Sequence, residues 1–370
     1  MKELGLYVHI PFCAKKCDYC DFISYCNKND KIEEYIKVLK EEIKSNLNNK
    51  EYKITTIYIG GGTPSFIDSK YIIEILNIIK EKYDLENTEI TIELNPGTVT
   101  QEKLLDYKEA GINRLSIGLQ ETSNELLKQI GRIHTYEEFI ETYNLARKLG
   151  FKNINVDLMI GLSNQSIQNI KESLNKVISL NPEHISVYSL ILEEGTKLYQ
   201  KYENKEIELP DEELERNMYW YVKNTLENNG YNHYEISNFS KKGYESKHNL
   251  NCWEQREYIG FGLNAHSYID GVRYSNTENL EEYINKTDKI IHEKQSIEDM
   301  KKEYMLVGLR KIEGVSIQKF EEKFVENPIF LFRNELKKLV EQELLEVDGD
   351  IIKLTNKGLD LANLVWEEFV

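Results

Sequence analysis

Long hydrophobic runs and proline are both scarce in this chain. No uninterrupted apolar run reaches the roughly 18 residues that a membrane-spanning helix needs, and the N-terminus lacks the apolar core of a signal peptide. We therefore expect a cytoplasmic protein without a transmembrane segment. Only 6 of the 370 residues are proline and 40% are hydrophobic, so a disordered or low-complexity chain is excluded.

Basic charge and cysteine are scarce as well. There are 47 Lys and Arg against 63 Asp and Glu, which gives a formal net charge of -16. Such a chain repels a phosphate backbone, and we expect no nucleic-acid partner. Of the 5 cysteines, all but one lie close together, at Cys13, Cys17, Cys20 and Cys26. Disulfides at such short separations would not stabilise a chain of this length, so metal binding is the better interpretation.

Short apolar runs typical of β-strands alternate with amphipathic stretches through the first half of the chain. Apolar residues recur at helical spacing between the runs, as in residues 32–47. This alternation predicts an α/β fold in which six parallel strands, joined by helices, form an incomplete (β/α)6 TIM-like barrel. Loops at the carboxyl ends of the strands would then build the functional site. The predicted strands are residues 4–9, 54–59, 90–94, 113–118, 153–158 and 184–189.

The alternation is lost in the second half of the chain. We therefore predict a barrel domain at residues 1–205 and a connecting region with an irregular sheet at residues 206–295. Residues 296–370 predict three helices, a hairpin turned by Asp348–Gly349 and a final helix, an order that imitates a winged helix. Its last part, residues 301–370, has 11 basic against 14 acidic residues, so we interpret this α+β module as structural or partner-docking rather than DNA-binding.

Three cysteines directly follow the first predicted strand. Cys13, Cys17 and Cys20 have spacings of four and three residues, which brings three thiolates around one small object. A cubane iron–sulfur cluster has four irons, so three cysteines would leave one iron open to a non-protein ligand. Two alternatives stay open at this point: a zinc site completed by His9 or Cys26, and a set of buried thiols.

The segment from Tyr7 to Cys20, Tyr-Val-His-Ile-Pro-Phe-Cys-x3-Cys-x2-Cys, resembles the radical S-adenosylmethionine enzymes. The branch that it resembles contains oxygen-independent coproporphyrinogen III oxidase, and the likeness extends over nearly the whole chain. The resemblance implies that the three cysteines hold a [4Fe-4S] cluster and that its open iron binds S-adenosylmethionine, which an electron from the cluster cleaves to a 5'-deoxyadenosyl radical. It also implies that the Tyr7 ring packs beside the cluster.

Further matches follow the other predicted strands. Gly60-Gly61-Gly62-Thr63-Pro64 matches the glycine motif of the family for the methionine amino group. Without the resemblance, this segment is a glycine-rich turn that lets a ligand approach the backbone closely. Single polar residues match the remaining cofactor contacts. The S-adenosylmethionine site that the resemblance implies comprises Tyr7, Gly61, Gly62, Thr63, Glu93, Gln120, Arg132 and Asp157.

Two features divide the oxidases of this branch from the HemW-type heme chaperones. The oxidases have a fourth cysteine where this chain has Phe22, and an N-terminal extension, whereas the first predicted strand here begins at Leu4. The chaperones have a His-Asn-x-x-Tyr-Trp motif for heme, which His248-Asn-Leu-Asn-Cys252-Trp253 matches with cysteine in place of tyrosine. His248 is a suitable iron ligand. Cys252 could compete as a thiolate ligand or could fill space as a small apolar residue.

The resemblance therefore implies a heme chaperone that binds a [4Fe-4S] cluster, S-adenosylmethionine and heme and delivers heme to acceptor proteins. Whether the acceptors are membrane-associated, whether the chain attaches peripherally to the inner face of the membrane, and whether it forms a homodimer are left open. Two other functions are also left open: an oxygen-independent coproporphyrinogen III oxidase and a zinc-stabilised scaffold. We assign no catalytic residue and expect oxidase activity to be absent.

Overall fold

Six parallel strands form the centre of the computed structural model, which describes residues 1–49, 51–286 and 291–370. The strands pair in chain order, each parallel to the next, so the predicted incomplete barrel is confirmed. Each strand overlaps its predicted run. They are β1 (Lys2–Ile10), β2 (Tyr52–Gly61), β3 (Glu89–Leu94), β4 (Arg114–Gln120), β5 (Ile154–Ile160) and β6 (His184–Ser189).

Helices connect these strands and cover the outer face of the sheet. The helix after β1 buries the stripe predicted by its apolar spacing, with Tyr35, Leu39 and Ile43 inaccessible to solvent. A capping box between Thr135 and Glu138 fixes the start of the helix that begins at Tyr136. The helices are α1 (Ile32–Asn46), α2 (Ser69–Lys80), α3 (Gln101–Glu109), α4 (Asn124–Gln129), α5 (Tyr136–Lys148) and α6 (Ile167–Ser179).

The region predicted as an irregular sheet instead extends the same sheet at both edges. One strand pairs antiparallel with β6, and another pairs parallel with β1. These strands are only three or four residues long, which is why the sequence pattern does not reveal their register. The elements are α7 (Lys197–Glu203), α8 (Glu212–Asn228), β7 (Asn232–Glu235), β8 (Asn238–Ser240), α9 (Lys247–Trp253), β9 (Tyr258–Phe261), β10 (His266–Ile269), β11 (Val272–Ser275), α10 (Leu280–Asn285) and β12 (Ile291–Lys294).

The short helix α9 closes the barrel at the amino ends of its strands. The backbone N–H groups of Lys247 and His248 each donate to the carboxylate of Glu89, the first residue of β3, at 3.2 Å. A carboxylate is favourable there because it accepts from N–H groups that have no partner within the helix. The barrel is therefore covered at this end and open at the carboxyl ends of its strands.

The C-terminal module has its own core, which includes Met305, Phe320 and Ile352. Its hairpin pairs Asp348 with Ile351, so the turn residues are Gly349 and Asp350, one position later than predicted. The elements are α11 (Ile297–Gly308), β13 (Val315–Ser316), α12 (Ile317–Phe324), α13 (Pro328–Leu331), α14 (Arg333–Glu341), β14 (Leu345–Asp348), β15 (Ile351–Leu354), α15 (Asn356–Asp360) and α16 (Ala362–Glu367). In the described part of the chain, no helix is long and apolar enough to cross a membrane.

Gln255, which follows α9 closely, joins the barrel to this module. Its side-chain amide donates to the Met300 carbonyl and to Glu303, both on α11. Its side-chain oxygen accepts from Lys323 of α12 at 2.9 Å. Buried hydrogen bonds of this kind fix the relative position of the segments that they join.

Candidate functional site

A cavity of about 470 Å³ lies at the carboxyl ends of the barrel strands, where parallel α/β folds place their chemistry. It brings together all the predicted cluster and cofactor residues except Tyr7. Those that line it are Cys13, Cys17, Cys20, Gly61, Gly62, Thr63, Glu93, Gln120, Arg132 and Asp157.

The three cysteines reach the cavity from the loop after β1. Cys13 is buried, and its sulfur accepts a hydrogen bond from the Thr63 hydroxyl at 3.4 Å. Cys17 accepts from Arg132 at 3.4 Å. Burial raises the pKa of Cys13, and burial together with the nearby Cys17 raises the pKa of Cys20 to about 11. These two groups are therefore thiols at neutral pH unless a bound cation favours the thiolate.

Among the described residues, the structure does not group the ligands that the zinc alternative needs. Within the described ranges, no three His, Cys, Asp or Glu side chains are close enough to share one metal ion. In a cubane each thiolate binds a different iron, so its ligands need not converge on one point. His9 does not complete a zinc site, because its ring nitrogens bond to the Tyr7 hydroxyl and the Ile23 carbonyl. Cys26 does not line the cavity.

Gly61, the last residue of β2, and Gly62, which follows it, lie too close to neighbouring protein atoms to carry a side chain. Gly61 has φ of 109°, and a Cβ there would lie 2.5 Å from the His9 ring. A Cβ on Gly62 would lie 2.9 Å from the Ile10 carbonyl. Packing against these protein atoms therefore requires glycine at both positions, and both glycines line the cavity.

Glu93 is held by two hydrogen bonds at the edge of the cavity. One carboxylate oxygen accepts from the Tyr58 hydroxyl at 2.8 Å, and the other accepts from the Gly61 N–H at 3.1 Å. Burial raises the pKa of Glu93 to about 7, against the effect of the Tyr58 hydrogen bond. A ligand that offers a hydroxyl or an ammonium group would therefore bind the carboxylate form at the expense of the acid.

Arg132, Gln120 and Asp157 line the other side of the cavity. One terminal nitrogen of Arg132 donates to Asn95 and to the Gly118 carbonyl, each at 2.5 Å, while its buried Nε has no hydrogen-bond partner within the described part of the chain. Gln120 has φ of 74°, and the register between β4 and β5 shifts there, as at a bulge that redirects a side chain. Asp157 accepts from Asn155 at 2.7 Å, and burial raises its pKa.

Tyr7 is separated from the cavity by another tyrosine. Its ring stacks on Tyr58 with centroids 6.3 Å apart, and Tyr58 lines the cavity. The sequence analysis missed Tyr58, and also Asn95, Ser116 and Tyr188, which line the same cavity. A signal was present for Tyr58: it lies two residues before Gly60 on a strand, and alternate residues of a strand face the same side.

The predicted heme residues lie on α9 at the opposite end of the barrel. His248 is 8% exposed, and its Nδ1 is 2.9 Å from the Thr56 hydroxyl, whereas no hydrogen bond joins its Nε2 to a described residue. Burial lowers the pKa of His248 to about 4, so the imidazole is neutral. Burial raises the pKa of Cys252 to about 11. Cys252 would therefore have to lose a proton before it could bind iron as a thiolate, whereas the neutral imidazole of His248 would not.

Large apolar side chains lie exposed at the cavity, beside the charged residues Lys15, Asp21 and Glu193. Phe22, Tyr188 and Ile191 line it and are 63%, 40% and 69% exposed. Large exposed side chains grouped around a cavity are typical of a surface that contacts an apolar ligand or another protein.

Comparisons with known proteins agree with this geometry. Residues 7–177 match the radical SAM superfamily model, and residues 296–361 match the HemN C-terminal domain model. The chain is similar to the solved structure of coproporphyrinogen III oxidase (HemN) from Escherichia coli, with a TM-score of 0.87 over 100% of this chain and 90% of the other. At 23% identity, that likeness shows a common fold.

Curated relatives match over the full length. The heme chaperone HemW of Lactococcus lactis is 39% identical, over 100% of this chain and 98% of the relative. The heme chaperone HemW of Bacillus subtilis is 38% identical, over 98% of both chains. These matches confirm the resemblance found in the cysteine motif. The chain belongs to the HemW family of radical S-adenosylmethionine proteins.

Proposed function

We propose that this chain is a heme chaperone that holds a [4Fe-4S] cluster and S-adenosylmethionine in the cavity at the strand carboxyl ends and delivers heme to an acceptor protein. The observation that carries the proposal is full-length similarity to proteins named heme chaperones, together with a cavity that groups the cysteines and the polar residues of the cofactor motif. The oxidase is the second candidate because its fold is shared.

Cys13, Cys17 and Cys20 would hold the cluster. A bound cubane supplies an electron source and an iron with an open coordination position. Arg132 donates a hydrogen bond to Cys17, and Thr63 donates one to Cys13, which stabilises negative charge on both sulfurs. The raised pKa values of the free thiols mean that cluster assembly releases protons from these groups.

S-adenosylmethionine would lie between the glycine turn and the side chains opposite. Gly61 and Gly62 line the cavity, Glu93 and Asp157 offer carboxylates, and the buried Nε of Arg132 is a donor without a partner among the described residues. A carboxylate that binds an ammonium or hydroxyl group contributes about 1.5 to 3 kcal/mol. Several such contacts account for recognition of a zwitterionic, hydroxylated cofactor.

His248 is the candidate heme ligand. Its neutral imidazole, whose Nε2 has no hydrogen bond to a described residue, would supply a nitrogen ligand to heme iron, and Thr56 would hold the ring through Nδ1. Since His248 is 8% exposed, α9 has to move before iron can reach the ring. Heme binding at this residue is therefore expected to be coupled to an opening of the barrel end.

Two assays separate the chaperone from the oxidase. Hemin titrated into the purified chain should give a stoichiometric change in the Soret absorption, and the loaded chain should pass hemin to an apo heme protein. Anaerobic incubation of the reconstituted protein with coproporphyrinogen III, S-adenosylmethionine and a reductant should give no protoporphyrinogen. Conversion that is lost in Cys13→Ala would instead establish the oxidase.

The proposal also includes a membrane-associated acceptor, peripheral attachment to the membrane and a homodimer. Transfer of heme from the chain to membrane vesicles that contain an acceptor would test the attachment, and light scattering would test the homodimer.

A further inference from the structure

Tyr58 lines the cavity and contacts three other residues, namely Glu93, His248 and Tyr7. Its hydroxyl donates to Glu93 at 2.8 Å. One face of its ring stacks on His248, with centroids 5.2 Å apart and planes at 28°, and it also stacks on Tyr7 at 6.3 Å. Tyr58 thus lies between the cofactor cavity and the ring of the candidate heme ligand.

We propose that Tyr58 is a positioning residue: it holds Glu93 in the orientation that binds S-adenosylmethionine, and the His248 ring holds Tyr58 in turn. This proposal rests on the proposed S-adenosylmethionine site. It adds Tyr58 to that site and gives His248 a second role, which is to hold the Tyr58 ring.

Gly60 provides independent support. A Cβ at this position would lie 2.9 Å from the Tyr58 ring and 3.0 Å from the Glu93 carboxyl group. Real Cβ atoms do not approach that closely to two fixed groups, so any larger residue would separate the pair or displace it. Because φ of Gly60 does not lie in the left-handed region, the need for glycine here arises from the Tyr58–Glu93 contact and not from backbone strain.

Glu93 has no freedom to choose another orientation while both contacts persist. Its two carboxylate oxygens are occupied by Tyr58 and by the Gly61 N–H, one on each. Loss of the Tyr58 hydroxyl would free one oxygen, and the side chain would then sample rotamers that face away from the ligand. Tyr58 acts through Glu93, which makes it a positioning residue and not a catalytic one.

His248 fixes Tyr58 from the opposite end of the barrel. Its ring is itself held by Thr56 through Nδ1 and by the backbone contact of α9 to Glu89. A flat side chain at this position would preserve the stacking, whereas a small one would leave a gap beneath Tyr58.

The first test is the calorimetric affinity of reconstituted protein for S-adenosylmethionine. Tyr58→Phe keeps the ring and removes the hydroxyl, and we expect it to weaken binding by about ten- to hundred-fold, the usual range for one lost hydrogen bond to a charged group. Tyr107→Phe is the matched control, because that buried hydroxyl on α3 has no hydrogen-bond partner among the described residues. Its affinity should equal that of the parent.

A double-mutant cycle shows whether Tyr58 acts through Glu93. In a Glu93→Ala background, Tyr58→Phe should cause no further loss, since the residue through which it acts is absent. The same loss in both backgrounds would overturn the proposal. His248→Ala should weaken binding of S-adenosylmethionine without any heme present, and His248→Phe should restore it.

The pH profile excludes a merely structural effect. The Tyr58 hydrogen bond lowers the pKa of Glu93, so Tyr58→Phe should move the pH at which affinity rises to a higher value. Asp157 raises and Arg114 lowers the same pKa, and neither is changed by this substitution. The ionisable groups that face Glu93 are Tyr7, Tyr58, Arg114, Asp157 and Tyr188.

Different results would contradict the proposed function and the positioning role of Tyr58. A parent protein that binds no S-adenosylmethionine would contradict the proposed function and remove the basis of this one. A parent that binds, with a Tyr58→Phe variant of equal affinity and unchanged pH profile, would overturn only the role of Tyr58.

Discussion

The Thr56 hydroxyl and Nδ1 of His248 lie 2.9 Å apart, although 192 residues separate them in the sequence. When Nδ1 carries the proton and donates to Thr56, the lone pair of Nε2 is free to bind iron. The Thr56 hydroxyl is both a donor and an acceptor, so this contact is compatible with the tautomer that a heme ligand needs.

Replacement of Thr56 should weaken heme binding. Thr56→Val removes the hydroxyl and keeps the shape, and we expect hemin affinity to fall by about ten-fold, because groups that orient metal-bound histidines typically contribute ten- to hundred-fold. Thr55→Val on the same strand is the control. Absorption titrations measure both, and equal affinity of all three proteins would contradict the assignment of His248.

Hemin should bind slowly. Because His248 is a buried residue of α9, the observed rate should reach a plateau with increasing hemin, set by the rate at which the helix moves away from the barrel. Stopped-flow absorption gives this rate. A rate that increases linearly to the diffusion limit would place the heme on an exposed surface instead.

The cluster should depend on three of the five cysteines. Cys13→Ala, Cys17→Ala and Cys20→Ala should each abolish the roughly four irons per chain expected after anaerobic reconstitution. Cys26→Ala should retain them, since Cys26 does not line the cavity. Iron and sulfide analysis decides, and loss of iron in the Cys26 variant would show a different ligand set.

Cys252 should not act as a heme ligand. Its thiol has a pKa of about 11 in the heme-free protein and would have to lose a proton on binding iron, whereas the imidazole of His248 is already neutral. The Soret maximum of the hemin complex should therefore be the same in Cys252→Ala, while His248→Ala should lose it. A maximum that shifts only in the cysteine variant would reverse the assignment.

Affinity for S-adenosylmethionine should rise with pH around neutrality. The pKa of Glu93, raised to about 7, means that the carboxylate dominates above that pH and the neutral acid below it. Since the carboxylate is the form that accepts from ligand donors, binding should strengthen between about pH 6 and pH 8. Calorimetry should show a flatter profile for Glu93→Gln, and identical profiles would exclude Glu93 from the site.

The parallel strands could be predicted because each is a short stretch rich in apolar and β-branched residues that lies between helical patterns. The resemblance assigned Glu93 and Asp157 to the cofactor site, and both line the cavity with the cysteines because parallel strands end at one edge. The short strands β7 to β12 carry too few residues for an alternation to be read. The position of His248 could not be predicted either, because its burial depends on Thr56 and Tyr58, which are remote in sequence.

The contacts of Gln255 have a mechanical consequence. This residue joins the end of α9 to α11 and α12 of the C-terminal module. A displacement of the module is therefore transmitted to the helix that bears His248 at its second position. A protein that binds the C-terminal module and displaces it would therefore move α9 as well, and would expose His248 without contacting that residue.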